Sequence, residues 1–170
     1  MWFYGGGFVA GSASEPRYDG ENLAEKSIIV VDPNYRLGVF GFFSYPALSS
    51  ESAQRASGNF GLLEQVAALH WVLANIAAFG GDPHNITIGG ESAGSLSGSA
   101  LMASPLSRNL FQRALGESGP FFPSQPTGAL QLKPFAETEQ LGMRFAESVS
   151  ASSLAQMRAE PGNDLLEARA

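Results

Sequence analysis

Residues 90 to 94 spell Gly-Glu-Ser-Ala-Gly, a Gly-x-Ser-x-Gly pattern centred on Ser92. When such a pattern follows a strand and opens a helix, the chain turns so sharply that the serine hydroxyl is exposed at the edge of a sheet. A serine presented in this way is suited to act as the nucleophile of acyl transfer. Because the chain contains 20 Gly, the pattern alone is a weak signal and its context must decide.

A second feature with chemical potential is the run of three glycines, Gly5, Gly6 and Gly7. Taken alone, such a run is more typical of a flexible turn. However, the amides of Gly6 and Gly7 are unshielded by side chains, and with the amide of Ala93 they can form an oxyanion hole, which needs donors aimed at one point. The combination with the Ser92 pattern favours the oxyanion hole.

A serine nucleophile also needs a histidine and a carboxylate, and the chain has only two histidines, His70 and His84, both before Ser92. In α/β-hydrolases the triad follows in the order serine, acid, histidine. His84 precedes the strand that leads to Ser92, and five residues of strand separate the two by about 15 Å. His70 lies on a helix predicted to cover the sheet. We therefore expect neither histidine to reach Ser92.

The elements that must position these residues follow from runs of apolar side chains. Four short, continuous runs predict strands buried on both faces. The predicted strands are Trp2 to Tyr4, Ser27 to Val31, Asn85 to Ile88, and Arg113 to Glu117. Apolar residues at helical spacing predict a helix from Gly61 to about Phe79, which Gly80 and Gly81 stop.

A small-residue helix is predicted to follow Ser92, from Ala93 to Met102. A loop is expected from Phe121 to Pro134, and further helices over residues 135–149, 152–157 and after 163. Strands that alternate with helices imply right-handed crossovers and a mostly parallel sheet with flanking helices. The predicted fold class is therefore α/β.

Composition narrows the function. A chain of 170 residues that is 44% hydrophobic can bury a core, and its net charge of −6 argues against nucleic acid or an anionic membrane surface as a partner. No apolar run approaches the ~20 residues of a membrane span, and no signal peptide is visible. The chain has no Cys, and its two histidines and scattered carboxylates form no ligand cluster, so we expect neither a metal nor another cofactor.

Six stretches, in order, resemble the type B carboxylesterases, the family of cholinesterases and bacterial para-nitrobenzyl esterases. They are YGGGF, NYRLGVFGF, GNFGLLEQ, FGGDP, GESAG and LFQRALGESG. The resemblance implies the central part of an α/β-hydrolase fold and hydrolysis of small carboxylic esters through a serine, histidine and acid triad. Residues 1–170 would then be part of one such domain, incomplete at both ends, with an N-terminal part missing.

The resemblance also assigns roles by position. It makes Ser92 the nucleophile and the amides of Gly6, Gly7 and Ala93 the oxyanion donors. Glu91 corresponds to the acidic residue beside the nucleophile, and Ser118 to a serine buried near the site as structural support. Two departures are visible, because Tyr4 stands where a histidine is usual before the glycines, and Ser95 where a second glycine is usual after the elbow.

These inferences favour a carboxylesterase segment that holds the nucleophile and oxyanion hole, and that is inactive alone because acid and histidine are missing. One alternative is a non-catalytic interaction module of the cholinesterase-like group, although such modules typically lose the serine. Another is a self-standing enzyme that uses Asp32 or Glu91 as its base. For Asp32 an ordinary turn with Pro33 and Asn34 is favoured. Phe121 and Phe122 are expected either to line an acyl pocket or to cap the core.

Overall fold

The structure is a computed structural model that describes residues 1–119 and 133–168. The strands are β1 (Trp2–Phe3), β2 (Thr87–Glu91) and β3 (Arg113–Glu117). The α-helices are α1 (Glu21–Ala24), α2 (Gly38–Phe42), α3 (Pro46–Glu51), α4 (Phe60–Asn75), α5 (Ala93–Ala103), α6 (Phe135–Ser148), α7 (Leu154–Ala159) and α8 (Gly162–Glu167). Three short 3-10 turns cover Pro16–Tyr18, Ile76–Phe79 and Pro105–Ser107.

The described residues divide into two compact units. The first comprises residues 1–35 and 62–119 and contains the sheet, and the second comprises residues 36–61 and 133–168. In the first unit the strand order is β1-β2-β3, and both pairings are parallel. The strand predicted at Asn85 to Ile88 begins two residues later than expected and continues to Glu91. The parallel sheet with helices between its strands agrees with the predicted α/β class.

Helix α4 supplies one wall of the core. It is followed by a 3-10 turn to Phe79 and then by Gly80 in the left-handed conformation (φ 83°), so it stops where the sequence predicts. Leu69 and Val72 of α4 and Ile76 of the turn pack with Phe3 of β1 and Ile88 of β2 in one apolar cluster. Leu69, Val72 and Ile76 recur at helical spacing and form an apolar stripe on one side of the helix. Burial of this stripe holds the helix against the sheet.

By length and composition alone, Phe60–Phe79 is also apolar enough to cross a membrane, with a mean hydropathy of 1.4. The expectation that no segment reaches this length is therefore corrected. One such helix is weak evidence for a membrane span, because the buried core helix of a soluble protein passes the same test. The packing of Leu69 and Val72 on the sheet accounts for the apolar stripe.

The predicted strand from Ser27 to Val31 is wrong. Trp2 N donates to Val31 O at 2.9 Å, but within the described residues no ladder extends from that bond. Ile28 and Ile29 are 49% and 40% exposed instead of buried on both faces. Without a neighbour among the described residues that continues the ladder, the backbone of this run does not form a strand, and its side chains stay partly exposed.

The prediction that β3 is buried on both faces is also wrong. The strand forms where expected, yet every residue from Arg113 to Glu117 is exposed, and Leu115 is 53% exposed. As the outer strand of the described sheet, β3 pairs with β2 on one side only. By contrast, Ile88, Gly89 and Gly90 of the central strand are buried.

The second unit contains α2 and α3, which were not predicted from the sequence, and α6, α7 and α8, which lie close to the predicted boundaries. A small apolar cluster forms its core, built on Ala146, Ala151, Met157 and Leu165. Beside it Ser49 Oγ bonds to Ser57 Oγ at 2.7 Å and donates to Glu139 Oε1 at 2.6 Å. The predicted loop lies almost wholly outside the described residues, as do Phe121 and Phe122.

Candidate active site

Ser92 occupies a sharp turn between β2 and α5. Its backbone has φ 52° and ψ −117°, a conformation that costs a non-glycine residue free energy and that clusters at functional sites. The turn is held from both sides, because Ser92 N donates to Glu117 O of β3 at 2.9 Å and Leu96 N donates to Ser92 O at 3.0 Å. The predicted strand, serine and helix arrangement is therefore present.

The two glycines of the pattern are required by lack of space. A Cβ on Gly94 would lie 1.9 Å from Phe3 O, and a Cβ on Gly90 would lie 2.4 Å from the carbonyl carbon of Gly94. The first turn of α5 thus rests directly on the backbone of β1 and β2. This close contact lets the helix begin immediately after the strand and forces the chain to reverse at Ser92.

The glycine run forms a compact loop against this turn. Gly6 and Gly7 have φ of 111° and 64°, and Gly6 O accepts hydrogen bonds from Val9 N and Ala10 N, both at 3.1 Å. A Cβ on Gly5 would lie 2.9 Å from Glu91 Oε2 and 3.4 Å from Ser92 Cβ. Gly5 is therefore in direct contact with the serine turn, and the loop begins beside Ser92.

The amides of Gly6, Gly7 and Ala93 have no hydrogen-bond acceptor in the part of the chain that the structure describes. Gly6 and Gly7 are exposed, whereas Ala93 is 0% exposed. A buried amide without an acceptor is unfavourable unless a ligand or water completes it. At the start of α5 the Ala93 amide also shares the partial positive charge of a helix N-terminus. These donors are suited to an oxyanion.

Glu91 and Ser118 both lie next to the serine turn. Glu91 ends β2 and is half-buried, with its carboxylate against Gly5. Ser118 follows β3 at φ 58°, between Glu117 and Gly119, and its side chain is exposed. The expectation of a buried serine at this position is wrong, because β3 and the residue after it are open to solvent. Ser95 stabilises the same segment, since its hydroxyl donates to Gly119 O.

The two histidines lie elsewhere on the first unit. His70 is exposed on α4, and His84 is exposed in the turn before β2, where its backbone N donates to Asp82 Oδ1 at 2.8 Å. Within residues 1–119 and 133–168, no hydrogen bond joins either of them to Ser92. Asp32 is half-buried; burial raises the pKa of its carboxyl, and no hydrogen bond from a described residue reaches Oδ1.

Two tyrosines that sequence reasoning did not place in the site hold the glycine loop. The rings of Tyr4 and Tyr35 stack with centroids 4.5 Å apart, and Tyr35 Oη donates to Tyr4 O at 2.7 Å. Burial, followed by the proximity of Tyr4, raises the pKa of the Tyr35 hydroxyl well above its usual range. The signals in the sequence were the position of Tyr4 at the start of YGGGF and the presence of Tyr35 in the NYRLGVFGF stretch.

A buried polar bridge was missed in the same way. Gln65 of α4 and Ser97 of α5 are both 0% exposed, and Gln65 Nε2 donates to Ser97 Oγ at 3.0 Å. Ser97 Oγ in turn donates to Ala93 O at 3.0 Å, in the first turn of α5. The bridge therefore joins the core helix to the residue that follows Ser92.

The whole chain, residues 1–170, matches the carboxylesterase family, and it therefore belongs to that family. It is 45% identical over 151 residues to a fumonisin B1 esterase of Sphingopyxis macrogoltabida. The aligned region covers 89% of this chain and 27% of that protein. It is 52% identical over 120 residues to a para-nitrobenzyl esterase of Bacillus subtilis, covering 70% and 24% respectively. The chain thus spans about a quarter of the length of these relatives.

Solved structures of carboxylesterases support the same family assignment. A thermophilic PNB esterase superposes with a TM-score of 0.84 at 40% identity, covering 98% of this chain and 32% of that one. A carboxylesterase of Geobacillus stearothermophilus gives a TM-score of 0.83 at 41% identity, covering 97% of this chain and 33% of that one. The fold is accordingly part of an α/β-hydrolase, as the resemblance implied.

Proposed function

We propose that this protein is a serine hydrolase of small carboxylic esters, with Ser92 as the nucleophile. The observation that carries the proposal is the contact between two features distant in sequence. The loop that bears the unpaired amides of Gly6 and Gly7 begins at Gly5, where an added Cβ would lie 2.9 Å from Glu91 Oε2 and 3.4 Å from Ser92 Cβ. A nucleophile and oxyanion donors at one point are what acyl transfer requires. Membership of the carboxylesterase family supports the same chemistry.

In the proposed reaction Ser92 Oγ attacks the carbonyl carbon of the ester while a base takes the hydroxyl proton. The carbonyl oxygen becomes an oxyanion that accepts hydrogen bonds from the amides of Gly6, Gly7 and Ala93. Collapse of the tetrahedral intermediate breaks the bond to the alcohol oxygen, which takes the proton, and leaves an acyl group on Ser92. In the second half of the reaction the base takes a proton from water, whose oxygen attacks the acyl carbon. Collapse of this second intermediate breaks the bond to Ser92 Oγ, which takes back the proton, and releases the acid.

We also propose that residues 1–170 do not suffice for turnover and that the acid and histidine come from outside them. Both histidines of this sequence precede Ser92, whereas the triad histidine of an α/β-hydrolase follows the serine. Their exposed positions on α4 and before β2 support the same assignment. Glu91 and Ser118 would then act beside the nucleophile without taking its proton.

The proposal is tested with the complete protein encoded by the gene, assayed for hydrolysis of p-nitrophenyl butyrate. Ser92→Ala should lower kcat by on the order of 10⁴-fold or more. Ser99→Ala is the matched control, because Ser99 lies on the same helix and its hydroxyl donates to Ser95 O, so this variant should keep its activity. Hydrolysis that survives Ser92→Ala would reject Ser92 as the nucleophile. A complete wild-type protein that does not hydrolyse the ester would favour the non-catalytic interaction module instead.

The second part of the proposal is tested with the 170-residue chain expressed alone. We expect it to hydrolyse the ester far more slowly than the complete protein, because it lacks a base. We also expect it to associate, since the exposed strand β3 and apolar side chains such as Leu115 and Ile28 invite aggregation. A monomeric chain with the turnover of the complete protein would show that a base lies within residues 1–170.

A further inference from the structure

Tyr4 and Tyr35 bond to each other's backbone. Tyr35 Oη donates to Tyr4 O at 2.7 Å, Tyr4 Oη donates to Tyr35 O at 3.2 Å, and Tyr35 N lies 3.4 Å from Tyr4 Oη. The rings are 18° from parallel, and the two residues are 2% and 5% exposed. Two buried side chains 31 positions apart thus form a closed, reciprocal clasp.

The Tyr4 carbonyl belongs to the peptide that opens the glycine loop. On another side of this peptide lies the first turn of α5, where a Cβ on Gly94 would be 3.3 Å from Tyr4 O. A Cβ on Gly11, which ends the loop, would be 2.8 Å from Gly5 O and from the Tyr4 ring. The start and end of the loop are therefore packed on Tyr4, and the orientation of the Tyr4 carbonyl sets the direction in which the chain leaves β1.

We propose that the Tyr35 hydroxyl is a positioning residue of the oxyanion hole, an inference that rests on the proposed function. Among the described residues Tyr35 Oη is the only donor to Tyr4 O, so loss of the hydroxyl leaves a buried carbonyl without a partner. The peptide then rotates to recover a hydrogen bond, and the amides of Gly6 and Gly7, two and three residues onward, move with it. Tyr35 does not touch the substrate.

A shift of the donors weakens binding of the oxyanion more than binding of the ground-state ester. Gly6 O also accepts hydrogen bonds from Val9 N and Ala10 N, so the loop keeps part of its conformation. The effect should therefore be smaller than that of deleting the oxyanion hole. A misplacement of about 1 Å in a catalytic constellation costs roughly 100-fold in rate. We expect a loss between about 10- and 100-fold in kcat, with little change in KM.

The test compares Tyr35→Phe with Tyr4→Phe in the complete encoded protein. Both variants remove one hydroxyl from the same stacked pair, but only Tyr35→Phe removes the bond to the loop carbonyl. The readouts are kcat, KM, the inhibition constant of a trifluoromethyl ketone, which forms an oxyanion, and the unfolding temperature. Active enzyme is titrated with a fluorophosphonate, so that kcat refers to folded molecules.

The expected result is that Tyr35→Phe loses kcat and affinity for the ketone by similar factors, while Tyr4→Phe keeps most of both despite a lower unfolding temperature. Equal kinetic constants for the two variants would overturn the inference, as would a Tyr35→Phe protein that is less stable but fully active, or one with no titratable fraction. Ser92→Ala, run in parallel, reports on the proposed function separately. If it stays active, the hydrolase proposal fails, whatever Tyr35→Phe does.

Discussion

Gly94 of the serine turn and Gly7 of the glycine loop are required for different physical reasons. At the serine turn Gly90 and Gly94 are required because neighbouring backbone occupies the space of a side chain. In the glycine loop a Cβ on Gly7 would meet only Val9 Cγ2 at 3.8 Å, so space is sufficient there, and the positive φ of 64° is what favours glycine. The nucleophile is thus positioned by close packing, and this part of the loop by backbone conformation.

The interactions that hold the serine turn and the glycine loop in place also differ. Under the serine turn the apolar cluster of α4 and the sheet is reinforced by the buried Gln65 to Ser97 bridge. The glycine loop relies on the tyrosine clasp and a few backbone bonds, and Gly6 and Gly7 are exposed. Changes to the packing of α5 on the sheet, and to the buried bridge beneath it, should therefore damage the serine turn first, whereas loss of the tyrosine hydrogen bonds should act on the loop.

The largest effect should come from Gly94→Ala. Its Cβ would lie 1.9 Å from Phe3 O, and a backbone atom cannot move aside without separating α5 from the sheet. We expect a loss of at least about 3 kcal/mol in the free energy of unfolding. Gly98→Ala is the matched control on the same helix, where a Cβ meets nothing within 4 Å, and it should be neutral or stabilise by up to about 1 kcal/mol. Denaturant unfolding of both variants that gave equal losses would contradict the packing account.

Ser97→Ala should have the next largest effect. It leaves the buried Gln65 amide with no partner in the described chain, at a cost of about 1–3 kcal/mol. The double variant Gln65→Met/Ser97→Ala removes both polar groups and should recover part of that loss. Thermal unfolding measures both. A double variant less stable than Ser97→Ala alone would mean that the bridge contributes more than the satisfaction of its own polar groups.

Gly7→Ala should be milder. The left-handed conformation costs an alanine about 1–2 kcal/mol, and Asn tolerates it better, so Gly7→Asn should lie closer to the parent protein. Chemical unfolding of the three proteins gives the comparison. Were Ala and Asn equally destabilising, space rather than φ would explain Gly7, and the contrast with Gly94 would disappear.

Alkaline pH should have the smallest effect. Burial keeps the pKa of the Tyr35 hydroxyl in the folded state above the ordinary value of about 10. As pH rises above about 10, the hydroxyl therefore ionises in the unfolded state while it stays neutral in the folded state. The stabilising contribution is complete below pH 10 and declines as pH rises through this window, by about 0.8 kcal/mol at pH 10.5. Tyr35→Phe should flatten the unfolding curve between pH 9 and 10.5. An unchanged slope would remove Tyr35 from the account of loop stability.

Local features were predictable from the sequence. The helical spacing around Leu69 and Val72 and the glycines after Phe79 predicted α4 and its end, because both signals lie within a few residues of the structure they determine. The turn at Ser92 was predictable for the same reason, since strand, small residues and helix are contiguous. The glycine loop next to it followed from the parallel sheet, which brings the ends of β1 and β2 together.

Features that depend on distant partners were not predictable. An apolar run such as Ile28 to Val31 becomes a strand only if a neighbour supplies a ladder, and β3 is buried only if something covers it. Tyr35 and Gln65 carry no periodic signal, because their partners lie 31 and 32 positions away. Their contribution is visible only once Tyr4 O and Ser97 Oγ have been placed in space.

The central claim, that Ser92 is the nucleophile, is tested most directly by covalent trapping. The complete encoded protein is treated with a fluorophosphonate, which phosphonylates activated serines, and the modified peptide is sequenced by mass spectrometry. The account predicts one phosphonyl group per molecule, located on Ser92, with a matching loss of esterase activity. Loss of activity with the label on another residue, or persistent activity with Ser92 fully modified, would contradict it.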